Sequence, residues 1–479
     1  MTPEASADRE KGFVSAPIAF RLLGVAAGAA ALLLIVWLVC FAWADLRCAR
    51  AAIAYPFEID YGEGIVWQQA LLIPGPRMYG PIDRLPFIVF HYPPVYHLTS
   101  RAVMALGVDP LVAGRMVSVA ATVVIVMCVA WLVAAGLEGR AKRSAMLVGA
   151  VTGALLPLSL SPIESWFVRM RVDMLAIALA FLGVAFAVRA ERRPAWLEWL
   201  TAGGFLRHII WYNVNTWSFA LLRERLQSHA LYAVLLAVAV AGLGLSWPRR
   251  GAITRREDSE EKEYTGVVPT LGLWLLLSLV MLPTVGKTGS SVNYFIELMC
   301  VCAVATGMLV GLCWEALTNA NDAAFRIGLL CVAIALLAML AKRRHYCADY
   351  FDPGLIAIQE NLVRELAREP KPVMSEDMIL LLRAGKEVPI EPAIFRELAM
   401  NGQWDQRRYL DLIDNHAFAF MITKPDKILT PERYTPEMLA ATARAYPRVE
   451  VRGPYLVHYP APQGEPRRIL EQSVNSRPL

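Results

Sequence analysis

The chain has 479 residues, 56% of them hydrophobic and only 19% charged, with a formal net charge of +5. Soluble globular proteins carry nearer a quarter charged residues, so these proportions exclude a single soluble domain. The positive balance does not call for nucleic acid, because the basic residues gather on loops between apolar runs and no aromatic-rich basic motif accompanies them.

Residues 1–18, with Arg9 and Lys11, read as a cytoplasmic tail. Apolar runs able to cross a hydrocarbon core of about 30 Å follow at 19–43, 111–136, 145–162, 172–190, 229–247, 266–284, 294–316 and 326–341. No small-residue cleavage site follows the first run, which is therefore read as a retained anchor. Basic clusters at Arg140/Lys142/Arg143, Arg189/Arg192/Arg193, Arg249/Arg250/Arg255/Arg256 and Arg326 assign alternate loops to the cytoplasm. That orientation requires one more crossing at 195–219, a stretch interrupted by Glu198, Arg207 and His208. The expected fold is a polytopic α-helical membrane protein of about nine spans over 19–345, set in a bacterial cytoplasmic membrane.

The loop 44–110 is longer than a connection needs and is expected to carry substructure. In it, Tyr92-Pro93-Pro94 opens a short helix whose Val95, Leu98, Thr99, Ala102, Val103 and Leu106 share one side, with His97, Ser100 and Arg101 on the other. A second short helix is expected from Gly64 to Ile73. Six of the eight cysteines lie in apolar runs, whereas Cys48 and Cys347 lie outside them and are a candidate disulfide pair.

The tail, 346–479, reads as an extracytoplasmic α/β domain: strands at 372–375, 417–423 and 455–459, and helices at 378–383, 391–400 and 436–445. No phosphate-binding P-loop, nucleophile elbow or zinc spacing is present.

Chemistry has few places to sit. Pro56-Phe57-Glu58-Ile59-Asp60-Tyr61-Gly62-Glu63-Gly64 packs three acids into a short stretch after the first run. By spacing alone it is either an acidic turn facing water or a set of carboxylates at a low-dielectric boundary, able to take a proton or hold a divalent cation. Arg169, Arg171 and Asp173, in Trp166-Phe167-Val168-Arg169-Met170-Arg171-Val172-Asp173, are either an interfacial ion pair or a phosphate grip with the aspartate orienting an arginine. Glu297 stands at the head of a span, with Lys287 one candidate partner. Arg115, at the head of another, either snorkels to the interface or joins the phosphate set. The aromatic stretch holding Asn213 and Asn215 reads as interfacial belt.

Together these features resemble the type-C glycosyltransferases, multispan enzymes that use polyprenyl-phosphate-linked sugars, with mannosyltransferase-like and aminoarabinose-transferase-like proteins as the nearest members. The resemblance implies a lipid-linked sugar donor, an extracytoplasmic acceptor and an outer-loop carboxylate as catalytic base. Asp60 matches that base best by position, with Glu58 or Glu63 as alternative or assistant. It further implies phosphate contacts from Arg171, Lys287 and Arg115, and other substrate contacts from His91, Tyr92, Asp173, Asn293, Tyr294 and Glu297. No nucleotide is required, and no cofactor beyond a divalent cation is implied. The chain departs from the family after the fourth span, where only 195–210 stands in place of further crossings. A non-catalytic membrane protein or a degenerate homologue is the alternative.

Overall fold

The computed structural model describes residues 4–190, 215–247, 266–319, 323–342, 352–424 and 433–461. The chain divides into two compact units, Met1–Met78 with Phe90–Phe351, and Tyr79–Val89 with Asp352–Leu479. The crossing expected at 195–219 lies outside the described residues apart from its last few positions.

The first unit is helical. Helix α1 (Glu4–Ala54) runs through the expected anchor without a break, because no proline falls between Pro17 and Tyr55-Pro56. Its apolar stretch Ile18–Ala54 has 37 residues, about 55 Å of helix and well beyond a hydrocarbon core of about 30 Å. Two short helices follow in the long loop, α2 (Glu63–Leu72) and α3 (Val95–Met104). Then come α4 (Pro110–Leu137), α5 (Arg143–Leu155), α6 (Ser161–Trp166), α7 (Asp173–Ala190), α8 (Phe219–Ser228), α9 (Ala233–Ser246), α10 (Val267–Met281), α11 (Ile296–Asn319) and α12 (Ala323–Ala341).

Among the described residues, five helices are long and apolar enough to cross a membrane, or six if the pair Phe219–Ser228 and Ala230–Ser246, bent by 62°, is one span. The chain is a polytopic membrane protein. The runs expected to cross at 145–162 and 172–190 appear as the shorter apolar helices Arg143–Ser159 and Asp173–Phe186. Pro157 and Pro162 end the first of these early, since each removes a backbone donor from a continuing helix.

Helix α11 is the most buried of the long helices and packs on α5 through glycines. A Cβ built at Gly149 would lie 2.6 Å from the Gly307 carbonyl, and one at Gly307 would lie 2.7 Å from that of Gly149. Two backbones approach this closely only where side chains are absent, as at other small-residue contacts between membrane helices.

The polar side of α3 turns into the protein. His97 and Ser100 are fully buried while Val95 and Leu98 are exposed. His97 Nε2 lies 2.9 Å from Gln69 Oε1 on α2, and Arg101 Nη1 donates to the Ala70 and Leu71 carbonyls at 3.1 and 2.5 Å. Arginine is well suited to that place, because the last carbonyls of a helix lack intrahelical donors.

The second unit is built on a four-stranded sheet in the order β1-β2-β4-β3. It comprises α13 (Pro353–Arg368), β1 (Met374–Ser375), α14 (Met378–Arg383), α15 (Pro392–Met400), α16 (Arg407–Asp414), β2 (Met421–Thr423), α17 (Pro436–Ala445), β3 (Arg448–Arg452) and β4 (Tyr455–Tyr459). β1 and β2 are parallel, and the other pairs are antiparallel. The helices expected at 378–383 and 436–445 and the strand at 455–459 have the expected bounds. Strand β2 covers only the end of the apolar run 417–423.

A segment of the long loop belongs to this unit. The Phe87 amide donates to the Pro389 carbonyl at 2.8 Å, and its ring stands 5.9 Å from Phe395 and 5.3 Å from Trp404 in edge-on geometry. Phe87 thus contributes a buried aromatic to a core that the tail alone would leave smaller.

Candidate active site

The site is organised from helix α4. Asp109 caps that helix, its Oδ1 accepting from the Leu111 and Val112 amides at 3.1 and 3.3 Å, and Pro110 occupies the first turn. Arg115 follows, fully buried. Its Nε donates to Glu63 Oε1 at 2.9 Å and its Nη2 to Glu63 Oε2 at 2.7 Å. Nη1 donates to the Ala52 and Tyr55 carbonyls at 2.8 and 2.5 Å, and Nη2 to that of Phe57 at 2.6 Å.

A guanidinium has five N–H donors, and all five are taken. Arg115 therefore has none left for a phosphate and serves as a strut that joins the end of α1 to the acidic loop. Glu63, also fully buried, accepts in addition from the Ile59 amide at 2.8 Å and the Met170 amide at 2.9 Å. Its carboxylate thus ties the acidic loop to the segment carrying Arg169 and Arg171.

Asp60 is left at the surface of this framework, its side chain 18% exposed, facing Arg169 (12%) and Arg171 (16%). Arg169 Nη1 donates to Oδ1 at 2.9 Å and Arg171 Nη1 to Oδ2 at 3.2 Å. The Gly62 amide donates to Oδ2 at 3.1 Å. Gly62 makes room for the pair: a Cβ there would sit 1.5 Å from Arg171 Nη1. Aromatic rings flank the cations, with Arg169 Cζ 4.6 Å from the Trp166 centroid and Arg171 Cζ 5.5 Å from Trp166 and 5.7 Å from Tyr92. Arg171 Nη2 also donates to the Tyr92 hydroxyl at 3.0 Å, and His91 packs on Tyr92 with ring centroids 4.0 Å apart.

Asp173, at the start of α7, accepts from Trp166 Nε1 at 2.8 Å and from Asn293 Nδ2 at 2.7 Å, and stands 3.9 Å from Arg171 Nε. It holds the tryptophan that supports both arginines. Two carboxylates and two guanidiniums leave this cluster formally neutral. It offers a partly exposed carboxylate able to take a proton, beside two cations able to meet an oxyanion.

The other expected residues are distributed as follows. Lys287 belongs to a loop clipped to 215–218, where Thr288 N donates to the Thr216 carbonyl at 2.8 Å and Asn215 Nδ2 to that of Thr288 at 2.6 Å. No hydrogen bond or ion pair joins its ammonium to the Asp60 cluster among the described residues. Glu297 is met by Trp274 Nε1 at 2.6 Å, not by Lys287. Tyr294 is partly exposed beside Asn293. Cys48 is in a disulfide, and Cys347, its expected partner, lies outside the described residues, as does Asn213. Three contributors carry weak sequence signals. Trp166 stands three residues before Arg169 and Arg169 two before Arg171, and Gly62 is a glycine directly beside an acid.

No protein-family model matches the chain, and no curated protein matches it. Among solved structures, ArnT from Cupriavidus metallidurans in the apo state is similar over 89% of this chain and 99% of that one, with a TM-score of 0.41 and 11% identity. The same protein bound to undecaprenyl phosphate aligns over the same shares with a TM-score of 0.41 and 13% identity. A likeness this distant carries no argument, and the chemistry of the site is taken from its own residues.

Proposed function

We propose that the chain is a membrane glycosyltransferase that moves a sugar from a polyprenyl-phosphate carrier to an extracytoplasmic glycan, lipid or protein, with Asp60 as general base. The observation that carries the reading is the placing of Asp60 between Arg169 and Arg171, 2.9 and 3.2 Å away, on a partly exposed surface flanked by Tyr92 and Trp166. In the reaction, the acceptor hydroxyl oxygen bonds to the anomeric carbon as the bond from that carbon to the phosphate oxygen breaks. The hydroxyl proton passes to Asp60. The electron pair leaves with the phosphate, whose charge Arg169 and Arg171 offset.

Within this reading Glu63 and Arg115 position the acidic loop, Asp173 and Asn293 position Trp166, and Lys287 is a third cation offered to the donor phosphate. The test is transfer of labelled sugar from a polyprenyl-phosphate donor in membranes carrying the protein. Asp60→Asn is expected to lower the rate by about two to four orders of magnitude. Equal rates in the two proteins remove Asp60 from the role, and a wild type inert with every such donor removes the activity.

A further inference from the structure

We infer that the anionic phosphate of the donor and a proton on Asp60 bind cooperatively, so that the donor raises the basicity of the carboxylate that serves it. The inference rests on the proposed transferase reading, which it deepens. Asp60 accepts from Arg169, Arg171 and the Gly62 amide. A carboxylate so occupied gives up donors before it takes a proton.

The two arginines that hold Asp60 are also the cations placed for a phosphate, so carboxylate and phosphate compete for them. Arg171 is the more readily drawn off: its contact to Asp60 is the longer of the two, and its Nη2 already reaches sideways to Tyr92. The charge balance points the same way. Asp60, Asp173, Arg169 and Arg171 sum to zero, so an added phosphodiester brings one uncompensated negative charge. The cluster offsets it by holding a proton more tightly, and Asp60, the partly exposed group from which the arginines withdraw, becomes the stronger base.

Other titratable groups surround Asp60. Glu58 and Glu63 share its loop, the latter neutralised by Arg115. Asp173 lies across Arg171, Tyr92 meets that arginine with His91 packed on it, and Tyr294 lies within electrostatic reach of Asp173 and Arg171. A probe of fixed charge and a variant of Asp60 alone separate these.

The experiment uses the purified full chain and methyl farnesyl phosphate, a phosphodiester that keeps one negative charge across the pH range used. Wild-type affinity is expected to rise about fivefold or more from about pH 8 to about pH 5. Asp60→Asn is expected to bind the probe at least about fivefold tighter than wild type at about pH 8 and to lose the pH dependence. A second measurement needs no substitution: adding the probe to weakly buffered wild type at about pH 6 should draw protons from solution, read with an indicator dye.

No proton uptake, no tighter binding in Asp60→Asn, a pH dependence that survives in that variant, or no binding by either protein each overturns the inference. A wild type that binds with proton uptake yet transfers no sugar overturns the transferase reading alone. An active wild type without uptake overturns this inference alone.

Discussion

Replacing Arg115 with methionine separates a strut from a phosphate ligand. The substitution removes both bonds to Glu63 and the three bonds to the Ala52, Tyr55 and Phe57 carbonyls. Methionine fills part of the volume and supplies no donor, so a fully buried carboxylate is left without its cation, and the Ala52, Tyr55 and Phe57 carbonyls lose the donors Arg115 gave them. Breaking a buried pair from one side costs about 3–5 kcal/mol, because the remaining charge is uncompensated. For a chain of 479 residues that is a fall in Tm of roughly 3–5 °C. The assay is thermal unfolding of the purified protein in detergent, together with the double variant Glu63→Gln, Arg115→Met. With its charge gone, the double variant should cost less than the sum of the single changes by about 1–3 kcal/mol. An Arg115→Met protein that melts within a degree or two of wild type, yet shows a raised donor KM, refutes the strut and restores Arg115 to phosphate binding.

Gly62→Ala places a methyl where Arg171 Nη1 now sits. Donor KM is expected to rise about tenfold with Tm nearly unchanged, which steady-state kinetics and a melting curve check together, since the interaction lost is one partly exposed charged contact. His97 is pushed down to about 4 by burial, from an ordinary value of 6.5. The unfolded chain therefore takes up a proton first as pH falls, and the folded protein should lose about 3 kcal/mol between about pH 6.5 and about pH 4. Melting curves across that range should show the loss, and His97→Gln should flatten it.

Much of this architecture was legible in the residues alone. Long apolar runs announce helices that cross a bilayer, because lipid offers the backbone no partner but itself. The tail was readable where local signals agree, as at Met378–Arg383, ended by Gly385, and Pro436–Ala445, opened by Thr435-Pro436. The reading was weaker at α5, where a continuous apolar run from 145 to 162 conceals two prolines that end the helix early. The segment holding Phe87 carries no sequence sign that it completes the second unit.

At the candidate site, sequence marked where acids and arginines gather but left their roles undivided. Glu63 and Asp60 are three positions apart with similar chemistry, and nothing local distinguishes them. The distinction comes from Arg115, distant in sequence, whose five donors bury one carboxylate and leave the other exposed to Arg169 and Arg171. Periodicity and capping act over one or two turns and so can be read from neighbours. The partner of a buried charge is decided by which helices pack together, and only the tertiary structure decides that.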